Sequence, residues 1–204
     1  MSDLMTNPTE AESALLSPSR LFTRAEVLAR PSPVPALPGV YAWYFRELPN
    51  VPLADTIESG GFHLLYVGIS PKKPSTNGHP LSRENARTRL RYHFQGNAEG
   101  STLRLTLGSL LSQTLGLELR RVGSGNRLTF HSGEKILNAW LEANARVVWQ
   151  ACPAPWQAEH QLIARYSLPL NLDANRNHAF HSTLSALRAA AKMRARSLPT
   201  AVAS

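Results

Sequence analysis

One cysteine, Cys152, is all that 204 residues contain. A disulfide framework within the chain is therefore excluded, and a cysteine-built zinc cluster is not expected. Acidic residues are scarce as well: 14 Asp and Glu stand against 22 Lys and Arg, for a formal charge of +8 and a pI near 10.2. That balance disfavours acidic partners and favours polyanions, nucleic acid first. Basicity alone also describes many proteins with no such partner. No apolar run has the length that spans a bilayer. Residues 1–12 are polar and lack the basic-then-apolar order of a signal peptide. These absences, with the lone cysteine, lead us to expect a cytoplasmic protein in a reducing compartment, without membrane contact.

What is present is a 43% hydrophobic chain, enough for one domain with elaborations. Two tripeptides stand out. Gly39-Val40-Tyr41 opens the aromatic, β-branched run 40–45, and Tyr66-Val67-Gly68 closes the similar run 62–67. Both read as strands. Neighbouring strands can bring Tyr41 and Tyr66 side by side at one sheet edge, which suggests a site. The alternative is a pair of ordinary strand aromatics.

Around these motifs the pattern is mixed. Residues 1–20 read as loose, with a short helix capped near 9–12. Thr23-Arg24-Ala25-Glu26 is a capping box with Phe22 and Val27 placed as a hydrophobic staple, so a two-turn helix is expected before the proline-rich 31–35. Turn formers fill 49–61 and 70–80. A helix is expected from Ser82, with Ala86, Leu90 and Phe94 on one face, and another from Ser101 to Gly116. A hairpin around 123–126 follows, then a helix over 134–144 with Ile136, Leu137, Trp140 and Leu141 inward. Strand 145–152, a helix from Pro155 to Tyr166 and a last helix over 182–196 complete the pattern.

Arg89 and His93 lie four apart, on one face of the helix after Tyr66. The arginine suits a phosphate oxygen, or is one more surface arginine beside Arg83, Arg87 and Arg91. Glu159 lies among Trp156, Ile163 and Tyr166 on an apolar helix face, where a carboxylate needs a partner, a proton or a metal. A metal gives it work; an ion pair with an arginine is the other reading. Asn171 sits at a turn.

Taken in order, these residues resemble the GIY-YIG nuclease family. The resemblance rests on the two tripeptides, on Arg89-Leu90-Arg91-Tyr92-His93-Phe94, on Glu159, and on Asn171 twelve positions later. It covers about 38–94 and 147–172. A histidine at 93 looks more like the type II restriction-enzyme branch than the excision-repair branch. The loop between the tripeptides is longer than the family norm, and 95–144 reads as a large insertion. The resemblance implies a mixed α/β (α+β) fold: a small, mostly antiparallel three-stranded sheet flanked by helices, with helical and hairpin insertions. It divides the chain into an N-terminal extension (1–36), a catalytic domain (37–178), and a basic C-terminal helix and tail (179–204).

The resemblance also implies a metal-dependent endonuclease that hydrolyses DNA, with RNA a further possible substrate. Tyr41, Tyr66, Arg89, His93, Glu159 and Asn171 form its site. Glu159 is expected to hold Mg²⁺ or Mn²⁺, a hard ion that keeps several waters. Arg89 takes charge from the phosphate, either tyrosine acts as base or positions water, and His93 relays the proton away. Asn171 fixes a tyrosine, a water or the glutamate. Lys72, Lys73, Arg87, Arg91, Arg188 and Lys192, with Arg194 and Arg196, are candidates for nucleic-acid contact. Two other readings remain: a non-catalytic nucleic-acid-binding module that retains the fold, and an interaction protein that uses the leucine-rich 103–115 as a partner surface.

Overall fold

The computed structural model describes residues 8–46, 48–74 and 82–201. The expected loop 70–80 and the C-terminal tail lie partly outside these residues. The chain runs α1 (Pro8–Leu16), α2 (Arg24–Leu28), β1 (Gly39–Phe45), β2 (Glu58–Ser59), β3 (Phe62–Ser70), α3 (Ala86–Gln95), α4 (Thr102–Leu110) and α5 (Ser112–Leu115). It continues through β4 (Arg120–Val122), β5 (Arg127–Thr129), α6 (Gly133–Asn144), β6 (Ala145–Ala151), α7 (Pro155–Arg165) and α8 (His181–Ser197).

The expected antiparallel sheet flanked by helices is present, but with four strands instead of three, in the order β2-β3-β1-β6. The additional strand is short: Glu58 and Ser59 pair with His63 and Phe62, where the long loop turns back. β4 and β5 form a separate hairpin.

β1 is buried at every position because it is paired on both sides and covered on both faces. Alternate residues of a strand face opposite ways. Tyr41, Trp43 and Phe45 join the core made with Leu90 and Phe94 of α3, Leu103 and Leu107 of α4, and Leu137 and Leu141 of α6. Val40, Ala42 and Tyr44 join the other core, with Ala11 and Leu15 of α1 and Ala158, Leu162 and Ile163 of α7.

Several local expectations are corrected by tertiary contacts. Residues 8–16 are not loose: the Tyr44 hydroxyl donates to the Leu15 carbonyl at 2.7 Å, and the Glu12 carboxylate accepts from Arg165 and from the Tyr166 hydroxyl. The Thr23–Glu26 capping box forms, but Phe22 exchanges backbone hydrogen bonds with Val147 and so protects the outer edge of β6. α3 starts at Ala86, later than Ser82, because the Asn85 side chain caps it by accepting from Thr88 N–H. Ile136 is 46% exposed and does not face the core. Leu103, Leu105, Leu107 and Leu111 are buried, so the leucine-rich block is interior and offers no partner surface.

α4 carries a wholly buried arginine. The Arg104 guanidinium donates to the Glu134 carboxylate at 2.9 and 2.5 Å, to the Asn138 side chain at 2.8 Å, and to the His93 carbonyl at 3.1 Å. Glu134 in turn accepts from the backbone N–H groups of Ala98 and Phe130. One ion pair thus ties α3, α4, α6 and the hairpin together behind the sheet.

Candidate active site

The strand register makes the site. Tyr41 lies opposite Gly68 and Trp43 opposite Tyr66, so both tyrosines project from the same face of the sheet, one step apart diagonally. The glycine of the second tripeptide has a packing reason. A Cβ built on Gly68 would come within 2.7 Å of the Tyr41 ring, so the phenol lies over bare backbone. Gly39 is bare for a similar reason, with the Gln150 carbonyl 2.7 Å from where its Cβ would be. Gly68→Ala is therefore expected to push Tyr41 out of place and lose most activity, for a stability cost of about 1–3 kcal/mol. Comparing its turnover with its melting temperature checks this; unchanged turnover would show that the ring's position is unimportant.

α3 packs over these phenols and brings its own polar groups. His93 is wholly buried, with its Nε2 3.0 Å from the Tyr41 hydroxyl and its Nδ1 2.7 Å from the Ser101 hydroxyl. Its ring meets those of Tyr41, Trp43 and Tyr66 edge-on. Burial, then the charges of Arg89 and Arg104, hold its pKa well below the ordinary histidine value, so the ring is neutral. Arg89 donates to the Gly100 carbonyl at 2.9 Å. Its charge acts on both phenols, favouring their ionisation.

That influence is outweighed. Burial first, and Tyr66 second, push the Tyr41 pKa far above the usual phenol value; Tyr66 is pushed up to about 12, by burial and then by Glu159. Both are neutral phenols at physiological pH. They differ in access: Tyr41 is 1% exposed, whereas Tyr66 is half-buried.

Glu159 reaches this group from the other side. The apolar stripe of α7 packs on the opposite face of the sheet, and Glu159 stands half-buried at the stripe's border. Its charge is nevertheless felt by both phenols and raises both pKa values. Its own pKa is pushed up to about 7, by burial first and by Asp173 second, with Lys72 opposing. A carboxylate held this way favours a neutralising partner, and the donor set suits a hard divalent cation. Glu159 and nearby Asp173 supply oxygen, and among the described residues no group of three His, Cys, Asp or Glu is assembled. An ion held there keeps most of its shell for water and phosphate oxygens, as Mg²⁺ prefers.

Asn171 does not touch a tyrosine or the glutamate. Its side-chain oxygen accepts from Val67 N–H and its nitrogen donates to the Val67 carbonyl, both at 2.9 Å. With Leu170 N–H donating to the Leu65 carbonyl, it takes the place of a missing strand along the outer edge of β3. The amide therefore fixes the backbone of the very tripeptide that carries Tyr66.

Arg87 and Arg91 are likewise engaged, donating to the carbonyls of Val34 and Leu28 at 2.6 and 3.1 Å, where they pin the proline-rich lead and the end of α2 to α3. Arg194 is paired with Glu118. Lys72 and Lys73 are exposed near the site. Arg188 and Lys192 line a groove of about 640 Å³ with Asp173, Arg176 and His181. Arg188 and Asp173 both interact electrostatically with Tyr66, which links the groove to the tyrosine cluster by charge.

Sequence reasoning missed the support behind the cluster. Gly100, Ser101 and Arg104 hold Arg89, His93 and the His93 carbonyl, and Thr102 lowers the Tyr66 pKa by hydrogen bonding. All lie at the start of the block read as an insertion. The one legible signal was Ser101 as the start of a helix, which it caps by accepting from Arg104 N–H at 3.1 Å.

The family model for the GIY-YIG catalytic domain matches residues 39–190. The chain belongs to this nuclease family. The matched span includes the block 95–144. No curated protein and no solved structure matches the chain.

Proposed function

We propose that the protein is a metal-dependent endonuclease that hydrolyses phosphodiester bonds of DNA. The observation that carries this reading is the meeting of the Tyr41–His93 pair with Tyr66 and the Arg89 charge on one sheet face, within the field of a half-buried Glu159. Such a set has no packing purpose that apolar residues would not serve better.

Arg89 is placed to take the charge that develops on the phosphoryl oxygens. Tyr66 is the less buried of the two residues and the better candidate to orient the attacking water. Tyr41, sealed beneath it, aligns the cluster. Glu159, with Asp173 beside it, would hold Mg²⁺ or Mn²⁺, which when bound neutralises the phosphate and the leaving oxygen. The intact acid, guanidinium and phenols argue against a merely binding descendant of the fold.

The strand path is proposed to follow α8. In Arg188→Gln/Lys192→Gln, affinity for duplex DNA is expected to fall, and the slope of log K against log salt to flatten by about 2. A salt titration of binding measures this; an unchanged slope would remove α8 from the interface. The function itself is tested by a survey of single-stranded, duplex and branched DNA, with RNA in parallel, in Mg²⁺ or Mn²⁺. Cleavage of at least one DNA form is expected. No cleavage with tight binding would favour the non-catalytic reading.

A further inference from the structure

Ser101 lies wholly buried at the N-cap of α4, between two partners. Its oxygen accepts from Arg104 N–H at 3.1 Å and lies 2.7 Å from Nδ1 of His93. A serine hydroxyl has one hydrogen to give. The cap uses the oxygen as acceptor and leaves that hydrogen, and among the described residues the only acceptor in reach is Nδ1 of His93. If Nδ1 instead carried a proton, the serine hydrogen would be buried with no acceptor, whereas in the Nε2–H tautomer the Tyr41 hydrogen still has the Ile69 carbonyl at 3.5 Å.

We infer that Ser101 fixes the His93 ring as its Nε2–H tautomer, so that His93 donates a hydrogen bond to the Tyr41 phenol oxygen and cannot accept that phenol's proton. The polar chain thus runs in one direction, from Ser101 through His93 to Tyr41. It overturns the expected relay of a proton from the site into His93. It also frees the Tyr41 hydrogen from His93; the Ile69 carbonyl, at 3.5 Å, is the nearest protein acceptor and too far for a strong bond. That hydrogen is left for a group that enters beside Arg89. Ser101 is a positioning residue: it acts on Tyr41 through His93 and touches no reacting atom. Its catalytic consequence rests on the nuclease reading above, but the tautomer does not.

Long-range proton–nitrogen correlation on the full chain, labelled with ¹⁵N at histidine, reads the ring directly. The expected result is a neutral His93 protonated at Nε2, with Nδ1 shifted as a hydrogen-bond acceptor. A His93 protonated at Nδ1, or at both nitrogens, at neutral pH would overturn the inference. Ser101→Ala should remove the acceptor signature at Nδ1, and Ser101→Thr should restore it; an unchanged Nδ1 signal in Ser101→Ala would also overturn it. Loss of the cap weakens α4, so the wild-type spectrum decides even where the alanine variant folds poorly. If cleavage is found, turnover should fall about tenfold in Ser101→Ala at unchanged DNA affinity and recover in Ser101→Thr. A wild-type protein that shows the tautomer yet cuts no DNA would defeat the nuclease reading alone.

Discussion

Glu159→Gln is expected to lower DNA cleavage by about 10³-fold or more while changing DNA affinity only a few-fold. The glutamine keeps the shape and polarity of the side chain and removes the charge that would hold a cation. The cations proposed to hold DNA are separate: Arg188 and Lys192 along the groove and the exposed Lys72 and Lys73. Burial and Asp173 keep the Glu159 pKa near 7 in the folded protein, above the ordinary carboxyl value of 4.5. The native state therefore binds this proton more tightly than the unfolded chain does. Without a cation, the wild type loses stability as pH rises from about 4.5 to 7 and then levels off. Glu159→Gln should match the wild type at pH 4 and exceed it by roughly 1–2 kcal/mol at pH 8, after allowance for partial exposure. Added Mg²⁺ should reverse that order at pH 8 by stabilising only the wild type. Denaturant melts at the two pH values, with and without the ion, measure all of this. A variant that is less stable than the wild type at pH 8 without metal would show that Glu159 is satisfied by a protein partner.

Arg104→Met is expected to be the most damaging single change away from the catalytic residues. The arginine is completely buried, and its five hydrogen bonds run to Glu134, Asn138 and the His93 carbonyl. Methionine preserves much of the volume but leaves Glu134 charged and without its cation. Breaking such a pair costs about 3–5 kcal/mol, or roughly 10 °C in melting temperature for a domain of this size. Glu134 still caps Ala98 and Phe130 N–H through its other oxygen. Arg104→Met/Glu134→Gln, which keeps that acceptor and removes the stranded charge, should therefore recover about 1–2 kcal/mol of the loss. Thermal melts of the single and double variants check the non-additivity. Simple additivity would mean that the pair is not coupled. Activity should fall as well, because the same guanidinium holds the carbonyl of His93.

The parts of the site that sequence could reveal share a local cause. Strand alternation puts Tyr41 and Tyr66 on one face, and helical period puts Arg89 and His93 together; both rules act over a few residues. What escaped reading depends on distant contacts. Asn171 finds Val67 104 positions away, and nothing near residue 171 says that β3 lacks a neighbour there. Arg87 and Arg91 look like free cations until the carbonyls of Val34 and Leu28 are brought to them. Arg104 sits in a leucine-rich helix, where a charge would ordinarily face water, and only the return of α6 with Glu134 explains it. The short α1 was legible as a helix near 9–12, but not its docking, which comes from Tyr44, Arg165 and Tyr166. Ser101 was legible as the start of a helix but not as the partner of a histidine.

End-group analysis of a labelled DNA duplex incubated with the protein and Mg²⁺ tests the account at its centre. The predicted products carry a 5′-phosphate and a 3′-hydroxyl, appear with the wild type, and vanish with a chelator or with Glu159→Gln. Cleavage that survives both treatments, or strands that remain whole in every ion supplied while the protein stays bound, would contradict it.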